Sequence, residues 1–215
     1  LSGTSIDDSL AGLAGNDTLT GAGGHDRLDG GSGTDVATFS GSLSQYAITR
    51  ISGALTVADS QGREGTDTLV NIERLSFSDK QMAFDMQLGS AGGNAVLVVG
   101  ALLGTTGLQN PTLMRDAITF FDDRIGMNDG VQLLTDLGIV NMVAGQTITQ
   151  VVSTLFHNIT GTRPIELINM VAASVGKAPG QQTLAQLITA AASLDLNQDH
   201  VNLVGLANTG LVFSH

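Results

Sequence analysis

The chain reads GTSIDDSLA (3–11), GLAGNDTLT (12–20), GAGGHDRLD (21–29) and GGSGTDVAT (30–38), four nine-residue units with no insertion between them. Glycine fills the first place of every unit (Gly3, Gly12, Gly21, Gly30) and aspartate the sixth (Asp8, Asp17, Asp26, Asp35). An aliphatic residue fills the eighth (Leu10, Leu19, Leu28, Ala37), and three units have a fourth-place glycine (Gly15, Gly24, Gly33). Glycine tolerates φ > 0 and close backbone approach, so each unit opens with a sharp turn whose carbonyls converge. The x-Leu-x segment after each aspartate suits a brief strand with the leucine pointing inward. Turn, strand, turn, strand winds a flattened right-handed coil in which every second turn stacks on the same edge. Carbonyl oxygens and one carboxylate from each of two stacked loops make an all-oxygen cage. About 6–8 oxygens at roughly 2.3–2.6 Å select calcium over softer metals. A flexible linker shares the composition but has no reason to hold leucine and aspartate in phase.

This nonapeptide pattern resembles the RTX family of calcium β-rolls. The resemblance implies that loop n pairs with loop n+2, so that Asp8 shares a calcium ion with Asp26, and Asp17 with Asp35. It implies backbone carbonyls from Thr4, Ile6, Gly21 and Gly23 at the first site, and from Leu13, Gly15, Gly30 and Ser32 at the second. Ile6 replaces a fourth-place glycine, which predicts a strained first loop and a weaker first site. His25, fifth in its unit, reads as a surface residue facing solvent. Extending the phase backwards puts Leu1 in an eighth place, which reads as a piece of a longer protein whose roll continues upstream.

Beyond the repeats, residues 39–90 read as a strand-rich cap. Strands are expected at Val36–Ser40, Tyr46–Ile51, Ala54–Ala58, Thr68–Ile72 and Leu75–Ser78. GREGTDTLV (62–70) is a degenerate fifth unit, with Asp67 and Leu69 in the expected places. The stretch 65–79 resembles the segment that closes the roll in many RTX proteins, pairing its open strand edge. Asp67 alone supplies half a cage for calcium.

From 91 to 215 the apolar residues recur at helical spacing, as in Ile148, Val151, Val152, Leu155 and in Leu184, Leu187, Ile188, Ala191. Further stripes run through 113–125 and 165–175. Asn110-Pro111 and Arg163-Pro164 look like helix starts, and Gly161, Gly176 and Gly180 like stops. Around six short helices predict a small all-α domain. The architecture expected is therefore multidomain β + α: a parallel calcium β-roll (1–38), its strand-rich cap (39–90) and a helical C-terminal domain (91–215).

Composition narrows the function. The 215 residues include no cysteine, which excludes a disulfide scaffold and any thiolate-bound metal. A net charge of −11 with only nine basic residues argues against nucleic acid as a partner. The longest apolar run, 95–103, is shorter than the roughly 20 residues of a membrane span. No zinc-protease, nucleophile-elbow or phosphate-loop motif is present, so no enzyme is expected. His25, His157, His200 and His215 lack ligand spacing, with His157 reading as packed or capping. Asp122 and Asp123, being adjacent, do not share a helix face.

The RTX resemblance implies export through type I secretion machinery by an uncleaved C-terminal signal. The apolar tail 184–215 is compatible with such a signal. The expected role is a calcium-binding C-terminal module of a secreted or cell-surface protein that folds on calcium outside the cell. Alternatives are a calcium-dependent anchoring or assembly module, touching itself or cell-surface components through the helical domain, and the noncatalytic tail of a secreted hydrolase.

Overall fold

A computed structural model of the chain describes residues 1–51, 54–122, 125–176 and 182–214. Two compact units emerge, one of Leu1–Asp85 with Gly205–His215, the other of Met86–Val204.

In the first unit the repeats become β1 (Ser9–Ala11), β2 (Thr18–Leu19), β3 (Arg27–Asp29) and β4 (Val36–Thr38). Downstream lie a 3-10 turn at Leu43–Gln45 and the strands β5 (Tyr46–Ile51), β6 (Ala54–Asp59), β7 (Thr66–Val70), β8 (Arg74–Ser76) and β9 (Gln81–Ala83). The tail adds β10 (Leu211–Phe213). One sheet runs β1-β3-β7-β6-β5 and the other β10-β9-β8-β4-β2. Within them β1, β3 and β7 are parallel, as are β2, β4 and β8. Hairpin β5–β6 joins β7, and the pair β9–β10 joins β8, in antiparallel fashion. Both sheets are therefore mixed.

Alternate repeats go to alternate sheets, so unit n stacks on unit n+2. Leu10 stands opposite Leu28, and Leu28 opposite Leu69. In the other sheet Leu19 faces Ala37, and Ala37 faces Leu75. Strands this short are held by what they bury rather than by propensity. Leu19, Leu28, Leu69 and Leu75 are at most 1 % exposed and share one core with Leu55, Val57 and Phe77. Each such leucine contributes roughly 1.5–3 kcal/mol. Phe39, Tyr46 and Phe77 close the core with ring centroids 5.1 to 5.3 Å apart. The Tyr46 hydroxyl donates to Glu64, and Arg74 forms a buried ion pair with Asp85.

Strands β7 and β8 extend the parallel stacks of β3 and β4 and add Leu69 and Leu75 to the same core. That pairing also covers the strand edges the repeats would otherwise leave open.

The second unit is helical. It contains α1 (Ala91–Leu108), α2 (Pro111–Asp122), α3 (Met127–Asp136), α4 (Ile139–Ala144), α5 (Ile148–Thr160), α6 (Ile165–Ser174), α7 (Leu184–Ala192) and α8 (Asp195–His200), and α9 (Leu203–Thr209) leads out to β10. These are nine helices among the described residues, more than the six or so expected. The stripes read from the sequence face inward: Met114, Ile118 and Phe121 on α2, Val151, Val152, Leu155 and Ile159 on α5, Ala185 and Ile188 on α7. Asn110 Oδ1 accepts from the Thr112 and Leu113 N–H groups, while Gly161 at φ 71° ends α5. The stop expected at Gly180 lies outside the described residues. By length and composition α1 is long and apolar enough to cross a membrane. However, 78 % of that span is buried, α1 packs against α2, α5 and α7, and Gly104 (φ 67°, ψ −169°) interrupts it. It is the core helix of its unit.

Candidate metal centre

Each stacked pair of turns is tied together by its aspartates. The Asp8 N–H donates to Asp26 Oδ1 at 2.8 Å, and the Asp17 N–H to Asp35 Oδ1 at 2.7 Å. Both ladders continue downstream. Asp26 N–H donates to Asp67 Oδ1 at 3.0 Å, and Asp35 N–H to Glu73 Oε2 at 2.9 Å. One oxygen of each acceptor carboxylate thereby stitches two turns. The second oxygen of Asp26 and of Asp35 is left over, and like Oδ2 of Asp17 it is buried with no hydrogen-bond partner. Asp26 is 2 % exposed and Asp35 fully buried. An unsatisfied buried acceptor costs about 1–3 kcal/mol, more when charged, and buried carboxylates normally have a cation beside them.

The ionisation of these groups reflects that crowding. Burial raises the Asp26 carboxyl above its ordinary value against the hydrogen bond from Asp8, and the charges of Asp8 and Asp7 add to the rise. Burial likewise lifts Asp67 to about 6, again opposed by a backbone bond and assisted by the Asp26 charge. Glu73 is raised for the same reasons, with Asp35 as its charged neighbour.

Beside the carboxylates the first-place glycines keep a cradle open. A Cβ on Gly12 would lie 2.8 Å from Asp17 Oδ2 and 2.5 Å from the Gly30 carbonyl oxygen. On Gly3 it would lie 2.8 Å from Asp8 Oδ2 and collide with the Gly21 carbonyl. The other predicted carbonyls line the same stacked turns. Thr4 O accepts from Gly23 N–H, Leu13 O from Ser32 N–H and Ser32 O from Gly15 N–H, each at 2.9 Å. The Ile6 carbonyl borders Gly24, and that of Gly15 borders Gly33. A carbonyl with one hydrogen bond keeps a second lone pair for another partner.

The loops reach this shape through paired left-handed residues. Second-place Leu13, Ala22 and Gly31 have φ of 77°, 75° and 96°, and fourth-place Gly15, Gly24 and Gly33 have 113°, 117° and 150°. In the first unit those places hold Thr4 and Ile6, which do not take positive φ. Both are β-branched, and that region is costly for them. Asp8 Oδ2 instead accepts from Thr4 N–H at 2.6 Å and Thr4 Oγ1 at 2.8 Å. The strain expected at Ile6 is avoided by a different loop shape, and Asp8 enters the ladder with its second oxygen already engaged.

Two further expectations change. Asp67 is not half a cage, because β7 places its turn directly on that of Asp26. His25 is exposed yet bonded: its N–H donates to Asp7 Oδ1 at 2.7 Å, and its Nδ1 accepts from Thr66 N–H at 3.2 Å. Asn16 Oδ1 does the same for Thr34 N–H at 3.0 Å. The fifth place therefore carries a second ladder beside the first. Glu73 escaped the sequence reading, although the spacing acidic-x-aliphatic survives in Glu73-Arg74-Leu75 as in Asp67-Thr68-Leu69. His157 is exposed on α5, Asp123 and His215 lie outside the described residues, and Asp122 ends α2.

Among the described residues no three His, Cys, Asp or Glu side chains gather around one point. The candidate centre is instead one of backbone carbonyls with single carboxylates, a hard-oxygen set suited to calcium. Buried orphan oxygens and glycine cradles fit such an ion.

Residues 2–37 match the sequence model of the RTX calcium-binding nonapeptide repeat in four copies. No curated protein matches the chain. Among solved structures, the extracellular lipase LipA from Serratia marcescens is similar over 38 % of this chain, with 20 % identity and a TM-score of 0.24. The chain spans 16 % of that lipase's own length. The phase of glycine, aspartate and leucine, the stacking of alternate turns and the family match agree: residues 2–37 are four copies of the RTX calcium-binding nonapeptide repeat.

Proposed function

We propose that the chain is a noncatalytic, calcium-binding module of a secreted RTX protein, whose N-terminal unit is a β-roll that folds on calcium outside the cell. The observation that carries this reading is the set of buried Oδ2 atoms without partners on Asp17, Asp26 and Asp35. The first position would use Asp8 and Asp26 with carbonyls of Thr4, Ile6, Gly21 and Gly23. The second would use Asp17 and Asp35 with those of Leu13, Gly15, Gly30 and Ser32. Calcium, when bound, supplies positive charge to oxygens that have no other partner.

The protein's own residues do the rest. The aspartate N–H ladder sets the spacing between turns, the left-handed glycines aim carbonyls inward, and the leucine stacks hold the strands. Without a cation, like charges repel along each ladder and the glycines favour the unfolded chain, so binding free energy becomes folding free energy. Extracellular calcium modules bind at roughly 10⁻⁴–10⁻³ M. Such sites stay empty at cytosolic calcium levels, keeping the chain extended for a type I channel, and fill after export. The helical unit and tail 184–215 would carry the export signal.

A calcium titration of the chelated protein to about 10 mM, followed by circular dichroism with magnesium as control, tests this reading. A calcium-specific gain of β signal is expected. An unchanged spectrum, with chelation verified, refutes it.

A second reading is favoured by exposed apolar side chains on the helical unit: Met142 at 79 %, Ile165 at 68 % and Met170 at 64 %. Such groups mark contact surfaces when they cluster, which suits calcium-dependent assembly at a cell surface. Growth of light scattering during the same titration supports assembly, and a constant monomer mass refutes it.

A further inference from the structure

We infer that the cation positions continue beyond the four repeats, with one formed by Asp35, Gly30, Asn71 and Glu73. This rests on the calcium reading above and extends it to residues outside the repeat match, which ends at residue 37.

The turn at Gly30 reproduces the turn at Gly12. A Cβ on Gly12 would meet the Gly30 carbonyl oxygen and Asp17 Oδ2. One on Gly30 would meet the Asn71 carbonyl oxygen, and Asp35 Oδ2 at 2.6 Å. Asn71 therefore offers its carbonyl where the upstream turn uses that of a first-place glycine. It also has φ of 51°, a left-handed value that asparagine tolerates better than most residues. Gly30 N–H donates to Val70 O at 3.0 Å, just as Gly12 N–H donates to Asp29 O at 2.9 Å. The backbone geometry of one turn is thus repeated by a segment without its sequence pattern.

Glu73 completes the correspondence. Its Oε2 accepts from Asp35 N–H at 2.9 Å, as Asp35 Oδ1 accepts from Asp17 N–H at 2.7 Å. The independent sign of a ligand is Asp35 itself, fully buried, with Oδ2 facing the cradle and no partner. Asp35 Oδ1 is already committed to the upstream turn. On the downstream side the Asn71 carbonyl oxygen and Asp35 Oδ2 border the same cradle at Gly30.

The test is Glu73→Gln in the full chain, with bound calcium counted by equilibrium dialysis and affinities measured by calorimetry. Glutamine keeps an oxygen for the Asp35 N–H, so the ladder and fold are retained. The expected result is one calcium ion fewer at about 1 mM, or one position weakened about tenfold, because affinity follows ligand charge. Far-UV spectra at saturating calcium should be unchanged. If Glu73→Gln binds the same number of ions with the same affinities, this inference is overturned while the repeat sites stand. If the parent chain binds no calcium at all, the underlying reading fails as well.

Discussion

Replacing Asp35 with asparagine should change stability in opposite directions with and without calcium. Asp35 is fully buried, its Oδ1 accepts from the Asp17 N–H, and its Oδ2 has no partner. Asparagine keeps the Oδ1 acceptor and removes the charge. In chelator, removing an unpaired buried charge should stabilise the N-terminal unit, the penalty relieved being of order 1–3 kcal/mol. With calcium the balance reverses. A position with Kd near 10⁻⁴ M contributes about 2.7 kcal/mol when calcium is 100-fold above Kd. A tenfold loss of affinity leaves about 1.4 kcal/mol, and Asp35 borders two positions. The assay is urea unfolding followed by Tyr46 fluorescence, in chelator and at 10 mM calcium. Tyr46 is the only tyrosine, there is no tryptophan, and it sits in the core of the N-terminal unit, so the signal reports that unit alone. Equal destabilisation of Asp35→Asn in both conditions would refute the claim that Oδ2 awaits a cation.

Other outcomes follow from the same geometry. Leu28→Ala empties the centre of the β1-β3-β7 stack and should cost about 2–5 kcal/mol, read by the same urea curve. Leu13, 75 % exposed at φ 77°, pays for a left-handed backbone without burying its side chain. Leu13→Gly should therefore stabilise by about 0.5–1 kcal/mol, the strain relieved less glycine's entropy. In chelator, stability should fall as pH rises from Asp67's ordinary 3.8 to about 6, because the folded state holds a proton that the unfolded chain has released. The loss attributable to Asp67 is about 3 kcal/mol, visible as a falling melting temperature between pH 4 and 7. Burial and the bond to Glu64 push Tyr46 up to about 12, so its phenolate absorbance should appear near pH 12 instead of 10 in the folded protein. That contribution to stability is present below pH 10 and lost as pH climbs through 12.

The repeats were legible because their chemistry is local and periodic. A glycine every ninth residue marks each turn, and the aliphatic residue two places after each aspartate marks each strand, so β1 to β4 and the stacking of alternate repeats could be placed. Glu73 and Asn71 were not legible for a related reason. Leu75 follows Leu69 by six residues where the repeats keep nine, so the phase is broken while the stacking persists. Thr4 shows the opposite case: the phase is intact, yet a β-branched residue with a hydroxyl turns the loop back onto Asp8. In the tail, Leu211-Val212-Phe213 reads only as apolar. Its role as β10 depends on β9, whose residues lie more than a hundred positions earlier. Helical stripes were readable on α2, α5 and α7 because each buries one face. The helix α1 is buried nearly all round and so has no stripe to read.

In the proposed function the aspartate ladders are closed by calcium. Amide hydrogen exchange at Asp8, Asp17, Asp26 and Asp35, measured in chelator, in magnesium and in 10 mM calcium, tests it most directly. These four N–H groups donate to the ladder carboxylates. Strong protection is expected in calcium alone, with the amides of α5 changing little. Equal protection of the four amides in all three conditions would contradict it.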